Sequence, residues 1–104
     1  MRKIIKNVFR NLLKLKTKEE TLILQQWKKN GMPVPPPQIL KHLVINEYAS
    51  KYNTSVLIET GTYLGDTIDY CKNIFNKLIS IELDVTLFEN AKNKFAHEDK
   101  ISIY

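Results

Sequence analysis

The hydrophobic and polar positions of the first part of the chain follow the spacing of helices. Over residues 2–16 the apolar side chains occupy one half of a helical wheel, which predicts an amphipathic helix. Four basic side chains occupy the other half: Lys3, Lys6, Arg10 and Lys14. A second helical pattern begins after Thr17, whose side chain suits an N-cap. The pair Asn30 and Gly31 is expected to end this second helix, because both residues tolerate the left-handed conformation of a helix terminus.

All four prolines lie between positions 33 and 37, where they mark the internal boundary that the sequence predicts. Proline favours extended backbone, so the run is expected to be a stiff linker. The last prolines also suit the first turn of a third helix, from Gln38 to about Lys51. The predicted organisation is an N-terminal helical segment, a linker with a capping helix, and an α/β segment, at 1–32, 33–54 and 55–104.

After the third helix, short apolar runs alternate with helical patterns. The runs that begin at Ser55, Lys77 and Lys100 predict three strands, the first of them buried with little alternation. A helix is expected from about Gly65 to Asn76, and another before the third strand. This alternation predicts right-handed crossovers and a parallel sheet of order 3-2-1. The fold class is therefore α/β: N-terminal helices followed by the first half, β-α-β-α-β, of a Rossmann-like parallel sheet.

Two of the three glycines, Gly61 and Gly65, lie between the first predicted strand and the helix after it. Glycine suits a sharp turn and a close approach between backbone and ligand. The helix that begins at Gly65 is expected to present amide donors to an anionic group such as a carboxylate, together with the hydroxyl of Thr67. The spacing is Gly-x-x-x-Gly and not Gly-x-Gly-x-x-Gly, which disfavours a dinucleotide.

Two carboxylates stand at the predicted ends of the first two strands. Glu59 precedes the glycine turn, where a carboxylate repels a phosphate but can accept hydrogen bonds from an ammonium group. Glu82 follows Gly61 by 21 residues, about the separation at which an acidic side chain reaches ribose hydroxyls. The ligand indicated has a ribose, an amino group and a carboxylate. S-adenosylmethionine fits that description better than NAD does.

The run from Val56 to Thr67, taken with the run from Ile79 to Leu83, resembles the first two cofactor motifs of class I S-adenosylmethionine-dependent methyltransferases. The pattern is similar to that of small-molecule and sugar O-methyltransferases, Glu-x-Gly-x-Tyr-x-Gly-x-Ser/Thr, and the resemblance covers about residues 33–104. It implies transfer of a methyl group from S-adenosylmethionine to an oxygen of a small molecule or sugar.

The resemblance also implies the residues of a cofactor site. These are Glu59, Thr60, Gly61, Thr62, Tyr63, Gly65, Thr67, Glu82 and Leu83. Within this set Glu59 would face the methionine amino group, and the backbone of Gly61 and Tyr63 would contact the cofactor. By the same resemblance Thr67 would hold the carboxylate of the cofactor, and Glu82 would bind its ribose hydroxyls.

The resemblance is partial, because such methyltransferases have about seven strands and this chain ends in the third. Neither the residue that would meet the adenine nor the segment that would hold the acceptor is found in 1–104. No residue is identified as a catalytic base or a metal ligand. We therefore expect a cofactor-binding N-terminal fragment that binds weakly and is inactive alone. Without a fourth strand, the first strand is expected to be an exposed apolar edge.

The net charge of +5 belongs to one terminal segment. Seven of the 16 basic residues lie in 1–18, which holds no acidic residue, and the remaining chain carries 11 acidic residues against nine basic ones. This distribution does not indicate a nucleic-acid-binding body. The apolar half of the helix of residues 2–16 is interpreted as packing on this domain, on a partner subunit or on sequence missing from this chain. The alternative interpretation is that the helix binds an anionic membrane surface.

The single cysteine, Cys71, cannot form an internal disulfide and is expected to lie in the core. No apolar run approaches the roughly 18 residues of a membrane span, and basic residues interrupt the N-terminal apolar stretches. These features predict a cytoplasmic protein. Two other functions stay open: an NAD(P)-binding Rossmann fragment, and a non-enzymatic protein that binds a membrane or a partner through its basic N-terminal helix.

Overall fold

The computed structural model describes Lys3 and residues 17–104. The predicted amphipathic helix of residues 2–16 lies, Lys3 excepted, outside the described residues, so its proposed membrane or subunit contact stays a prediction. The backbone divides into two compact units, with the division between Lys51 and Tyr52. No helix among the described residues is long and apolar enough to cross a bilayer.

The first unit begins, in its described part, with helix α1 at Lys18–Lys29. Thr17 caps this helix as predicted, because its Oγ1 accepts a hydrogen bond from the amide of Glu20 at 3.1 Å. At the other end Gly31 is left-handed, with φ of +82°, whereas Asn30 keeps φ of −81°. The predicted end of the helix is confirmed. Of the predicted pair only Gly31 takes the left-handed conformation, and Met32 after it also has positive φ, +58°.

Helix α2 spans Gln38–Tyr52, close to its predicted bounds. The apolar cluster of this unit has Leu24 of α1 and Leu40 of α2 at its centre, both buried. Trp27 packs against this cluster, and its indole N–H donates to the carbonyl of Pro33 at 2.8 Å. The proline run is thereby attached to α1 through a side chain that also contributes apolar contact area.

The second unit alternates strands and helices as the sequence predicts. Its elements are β1 Val56–Thr60, α3 Asp66–Cys71, β2 Lys77–Ile81, α4 Val85–Lys94 and β3 Ile101–Ile103. The strands are parallel, and β2 lies between β1 and β3, so the predicted strand order is confirmed. In this register Glu59 of β1 stands opposite Ser80 of β2, which stands opposite Ile103 of β3.

Helix α3 is shorter than the sequence predicts. It ends at Cys71, and the amide of Ile74 then donates to the Cys71 carbonyl at 2.9 Å in a tighter turn. The amide of Asn76 already bonds the carbonyl of Ser55 at 2.8 Å, beside the start of β1. The predicted extension of the helix to Asn76 is therefore wrong, because the chain must leave the helix before it can pair with β1. Cys71 itself is fully buried, as predicted.

The prediction that β1 is a buried strand is wrong. Val56 is 48% exposed and Ile58 is 65% exposed, whereas Leu57 and Glu59 are half-buried. The order β1-β2-β3 advances in one direction, so two right-handed crossovers place α3 and α4 on the same face of the sheet. Val56 and Ile58 belong to the opposite face. Since β1 is also the outermost strand of the described sheet, the expected exposed apolar edge is confirmed.

Candidate functional site

The segment of residues 61–65, which we call the glycine loop, connects β1 to α3. Three of its residues have positive φ: Gly61 at +80°, Tyr63 at +51° and Gly65 at +81°. The loop is closed by a hydrogen bond from the Gly65 amide to the Thr62 carbonyl at 2.9 Å. A second bond, 2.7 Å long, joins the Gly61 amide to the carbonyl of Ile81 on β2. The loop is thus a compact turn attached to the neighbouring strand.

The two glycines of this loop have different surroundings. A Cβ added at Gly65 would lie 2.8 Å from Cε2 of Phe95, a buried ring at the end of α4. A Cβ added at Gly61 would meet no atom of the described residues within 4 Å. Gly65 therefore serves packing as well as conformation. Gly61 serves the left-handed turn and leaves open space beside the backbone, where a ligand can approach closely.

The end of α4 holds the glycine loop by a polar contact as well. The ammonium group of Lys94 donates to the carbonyl of Leu64 at 3.0 Å. Phe95, the next residue, supplies the ring under Gly65. Two consecutive residues of one helix end therefore fix two consecutive residues of the loop.

Glu82 joins the glycine loop to the end of β2. Its Oε2 accepts a hydrogen bond from the Tyr63 amide at 2.8 Å, and its Oε1 accepts one from the Asp84 amide at 3.0 Å. These amides, Asp84 first and Tyr63 second, hold the pKa of the Glu82 carboxyl below its ordinary value. Glu82 is therefore a carboxylate with a fixed orientation at the carboxyl edge of the sheet.

Acidification is expected to weaken the link between Glu82 and Tyr63. Because the folded pKa is lowered, ionised Glu82 stabilises the fold above its ordinary pKa of 4.5, and that stabilisation is lost as the pH falls through the folded value. The amide resonance of Tyr63 should therefore titrate below pH 4.5 in a ¹H–¹⁵N correlation series. In Glu82→Gln this titration should disappear. A midpoint at or above the ordinary value would contradict the assignment.

The Glu59 carboxylate is bonded to a hydroxyl group that is itself bonded to a second hydroxyl group. Oε1 of Glu59 accepts a hydrogen bond from Oγ of Ser80 at 2.8 Å. The same Ser80 oxygen lies 2.6 Å from Oγ1 of Thr62. Ser80 is fully buried and Thr62 is 5% exposed. The Thr62 side chain therefore turns toward the sheet, so any ligand contact it makes is through its backbone. Sequence reasoning missed Ser80, although a serine between apolar residues of a central strand is a signal of buried polar contact.

The remaining residues of the implied site lie close by in the chain. Thr60 ends β1 and is exposed, and Leu83 follows Glu82 with 97% of its surface exposed. Thr67 stands in the first turn of α3 and is buried. Most of the set thus gathers at the carboxyl ends of two adjacent parallel strands, where open α/β sheets bind ligands. Within the described residues, no cluster of three His, Cys, Asp or Glu side chains is placed to bind a metal ion.

Comparison with known proteins shows similarity in structure. No protein family profile matches the chain, and no curated protein matches it significantly in sequence. A Staphylococcus aureus protein assigned as a caffeoyl-CoA O-methyltransferase superposes with a TM-score of 0.60 at 19% identity, over 95% of this chain and 49% of that one. A Klebsiella pneumoniae protein assigned as an O-methyltransferase gives 0.58 at 12% identity, over 96% of this chain and 48% of that one.

This chain therefore spans about half the length of the structures it matches. At these identities the likeness establishes the fold: helices followed by a three-stranded parallel sheet with alternating helices, as in the Rossmann-like fold of methyltransferases.

Proposed function

We propose that this chain binds S-adenosylmethionine at the carboxyl ends of β1 and β2, as the cofactor-binding part of an O-methyltransferase. One observation carries the proposal: the Glu82 carboxylate accepts a hydrogen bond from the Tyr63 amide at 2.8 Å. This bond joins the acidic residue after β2 to the glycine loop after β1. The bond brings together two sequence motifs 19 residues apart, which supports the proposal that they form one site.

The residues present fit the cofactor. Each carboxylate oxygen can accept more than one hydrogen bond. Glu82 can therefore accept hydrogen bonds from ribose hydroxyls while it keeps those from the Tyr63 and Asp84 amides. No described residue fills the space beside Gly61, so none of them blocks a ligand from the loop backbone. Glu59, fixed by Ser80, can accept a hydrogen bond from an ammonium group. When bound, the cofactor supplies an activated methyl group, and these residues hold and orient it.

The proposed methyl acceptor is an oxygen of a small molecule or sugar. Its support is the pattern from Glu59 to Thr67 together with a fold shared with two proteins assigned as O-methyltransferases. Among the described residues of the proposed cofactor site we identify no catalytic base. We therefore expect this chain to bind the cofactor weakly and to be inactive without further sequence.

A titration of the ¹⁵N-labelled chain with S-adenosylhomocysteine tests the proposal, with NADH as the competing ligand. We expect shifts in the glycine loop and at Leu83, and no comparable shifts with NADH. Glu82→Ala should weaken binding about 10- to 100-fold, because hydrogen bonds to a charged group contribute about 1.5–3 kcal/mol.

The matched control is Glu89→Ala, which removes an exposed glutamate of α4 and should leave the affinity unchanged. Preferential binding of NADH would favour a dinucleotide fragment over the proposed function. Binding of neither ligand would exclude both.

A further inference from the structure

We infer that Thr62 and Ser80 are positioning residues: a one-way chain of hydrogen bonds from Thr62 through Ser80 fixes the Glu59 carboxylate as the acceptor for a ligand ammonium group. The inference rests on the proposed function, since the ammonium group belongs to the methionine part of the cofactor. It assigns to Ser80 a role that neither motif gives it.

The placement of Ser80 follows from the strand register. Ser80 lies directly opposite Glu59 in the parallel pair, on the strand that is flanked on both sides in the described sheet. Side chains at such paired positions are neighbours on one face of the sheet. Ser80 is fully buried there, and a hydroxyl removed from water must find a partner. Its partners are the carboxylate of Glu59 and the hydroxyl of Thr62.

The direction of the chain follows from the number of hydrogens. A serine hydroxyl has one hydrogen to donate, and a carboxylate has none. Ser80 donates its hydrogen to Oε1 of Glu59 at 2.8 Å. In the 2.6 Å contact between the two hydroxyl groups the donor must then be Thr62. Both hydroxyl hydrogens therefore point toward Glu59, and each bond polarises the next.

This polarity favours one class of ligand group. Donors directed at a carboxylate stabilise its charged form, and a charged carboxylate attracts a cation. Thr62 also belongs to the glycine loop, so the orientation of Glu59 depends on the position of the loop. A ligand that carries both an adenosyl group and an ammonium group would contact the loop and the carboxylate together.

Three ligands separate this role from a general effect on the fold. S-adenosylhomocysteine has the ammonium and carboxylate groups, its decarboxylated form keeps only the ammonium group, and 5′-methylthioadenosine has neither. In Ser80→Ala we expect the two ammonium ligands to bind about fivefold more weakly, because the net contribution of about one hydrogen bond is lost. Binding of 5′-methylthioadenosine should not change. Ser102→Ala, on β3, is the matched control and should leave all three affinities unchanged.

A second pair of variants tests the Thr62 end of the chain. Thr62→Val removes the donor and should weaken the ammonium ligands selectively, whereas Thr62→Ser keeps the hydroxyl and should retain wild-type affinity. Equal weakening of all three ligands in Ser80→Ala, or no weakening, would overturn the inference while leaving the proposed function in place. A loss in Thr62→Ser equal to that in Thr62→Val would also overturn it. If the wild-type chain bound none of the three adenosyl ligands, the proposed function and the inference would fail together.

Discussion

Replacing Gly65 with alanine is expected to destabilise the second unit by about 2–5 kcal/mol. Two effects add. A residue with a Cβ costs about 1–2 kcal/mol in the left-handed region, where Gly65 has φ of +81°. Overpacking a buried contact costs about 1–3 kcal/mol more, and the new Cβ would lie 2.8 Å from the Phe95 ring. Phe95 is only 5% exposed, so the ring cannot move away without opening a gap elsewhere.

The chain contains its own control for this change. Gly61 has almost the same φ, +80°, with no described atom within 4 Å of an added Cβ. Gly61→Ala should therefore cost only the conformational part, about 1–2 kcal/mol. Urea denaturation followed by far-UV circular dichroism, with amide exchange on β2 to report the second unit, measures both variants.

A double-mutant cycle isolates the ring contact. Phe95→Leu removes the ring atoms nearest to Gly65, so in that background Gly65→Ala should cost no more than Gly61→Ala. Equal costs for the two glycine variants in the wild-type background would show that the Phe95 contact does not constrain the loop.

The second large effect is expected at Ile68, which is fully buried on α3. Ile68→Ala should destabilise the second unit by about 2–5 kcal/mol, since it removes buried apolar area and leaves a cavity. Ile58→Ala is the matched comparison, because the same atoms are removed from a side chain that is 65% exposed on β1. That variant should cost less than about 1 kcal/mol.

The Ile58 result also tests whether the sheet face opposite α3 and α4, which carries Val56 and Ile58, is exposed to solvent in solution. A cost at Ile58 close to that at Ile68 would mean that this face is covered when the chain folds. A small cost would agree with the exposure of Val56 and Ile58. Both variants are measured by the same denaturation series, with sample concentration varied to detect association.

Much of this fold could be predicted because its signals are local. The N-cap at Thr17 and the glycine after α1 depend on side chains within a few residues of the helix ends. The change from helical spacing to short apolar runs after residue 54 predicts the parallel α/β unit correctly. Glu82 was singled out by its distance from Gly61, and its carboxylate accepts a hydrogen bond from the Tyr63 amide of the glycine loop.

Other features could not be predicted because they depend on pairing between distant residues. The end of α3 is set by the hydrogen bond from the Asn76 amide to the Ser55 carbonyl, which the periodicity of the helical pattern does not predict. The role of Ser80 appears only once the register places it opposite Glu59. The left-handed backbone of Tyr63 has no signal in its residue type, since tyrosine rarely adopts positive φ. The exposure of Ile58 depends on which face of the sheet the crossovers cover.

The contacts that shape the candidate site also have a consequence for how the chain assembles. The Thr62–Ser80, Tyr63–Glu82, Glu59–Ser80 and Leu64–Lys94 bonds span 18, 19, 21 and 30 residues. Closing loops of this length costs little more entropy than closing shorter ones. All four bonds, and the packing of Gly65 on Phe95, lie within one continuous stretch from Glu59 to Phe95. The candidate site is therefore assembled by contacts between residues no more than 30 positions apart in the sequence.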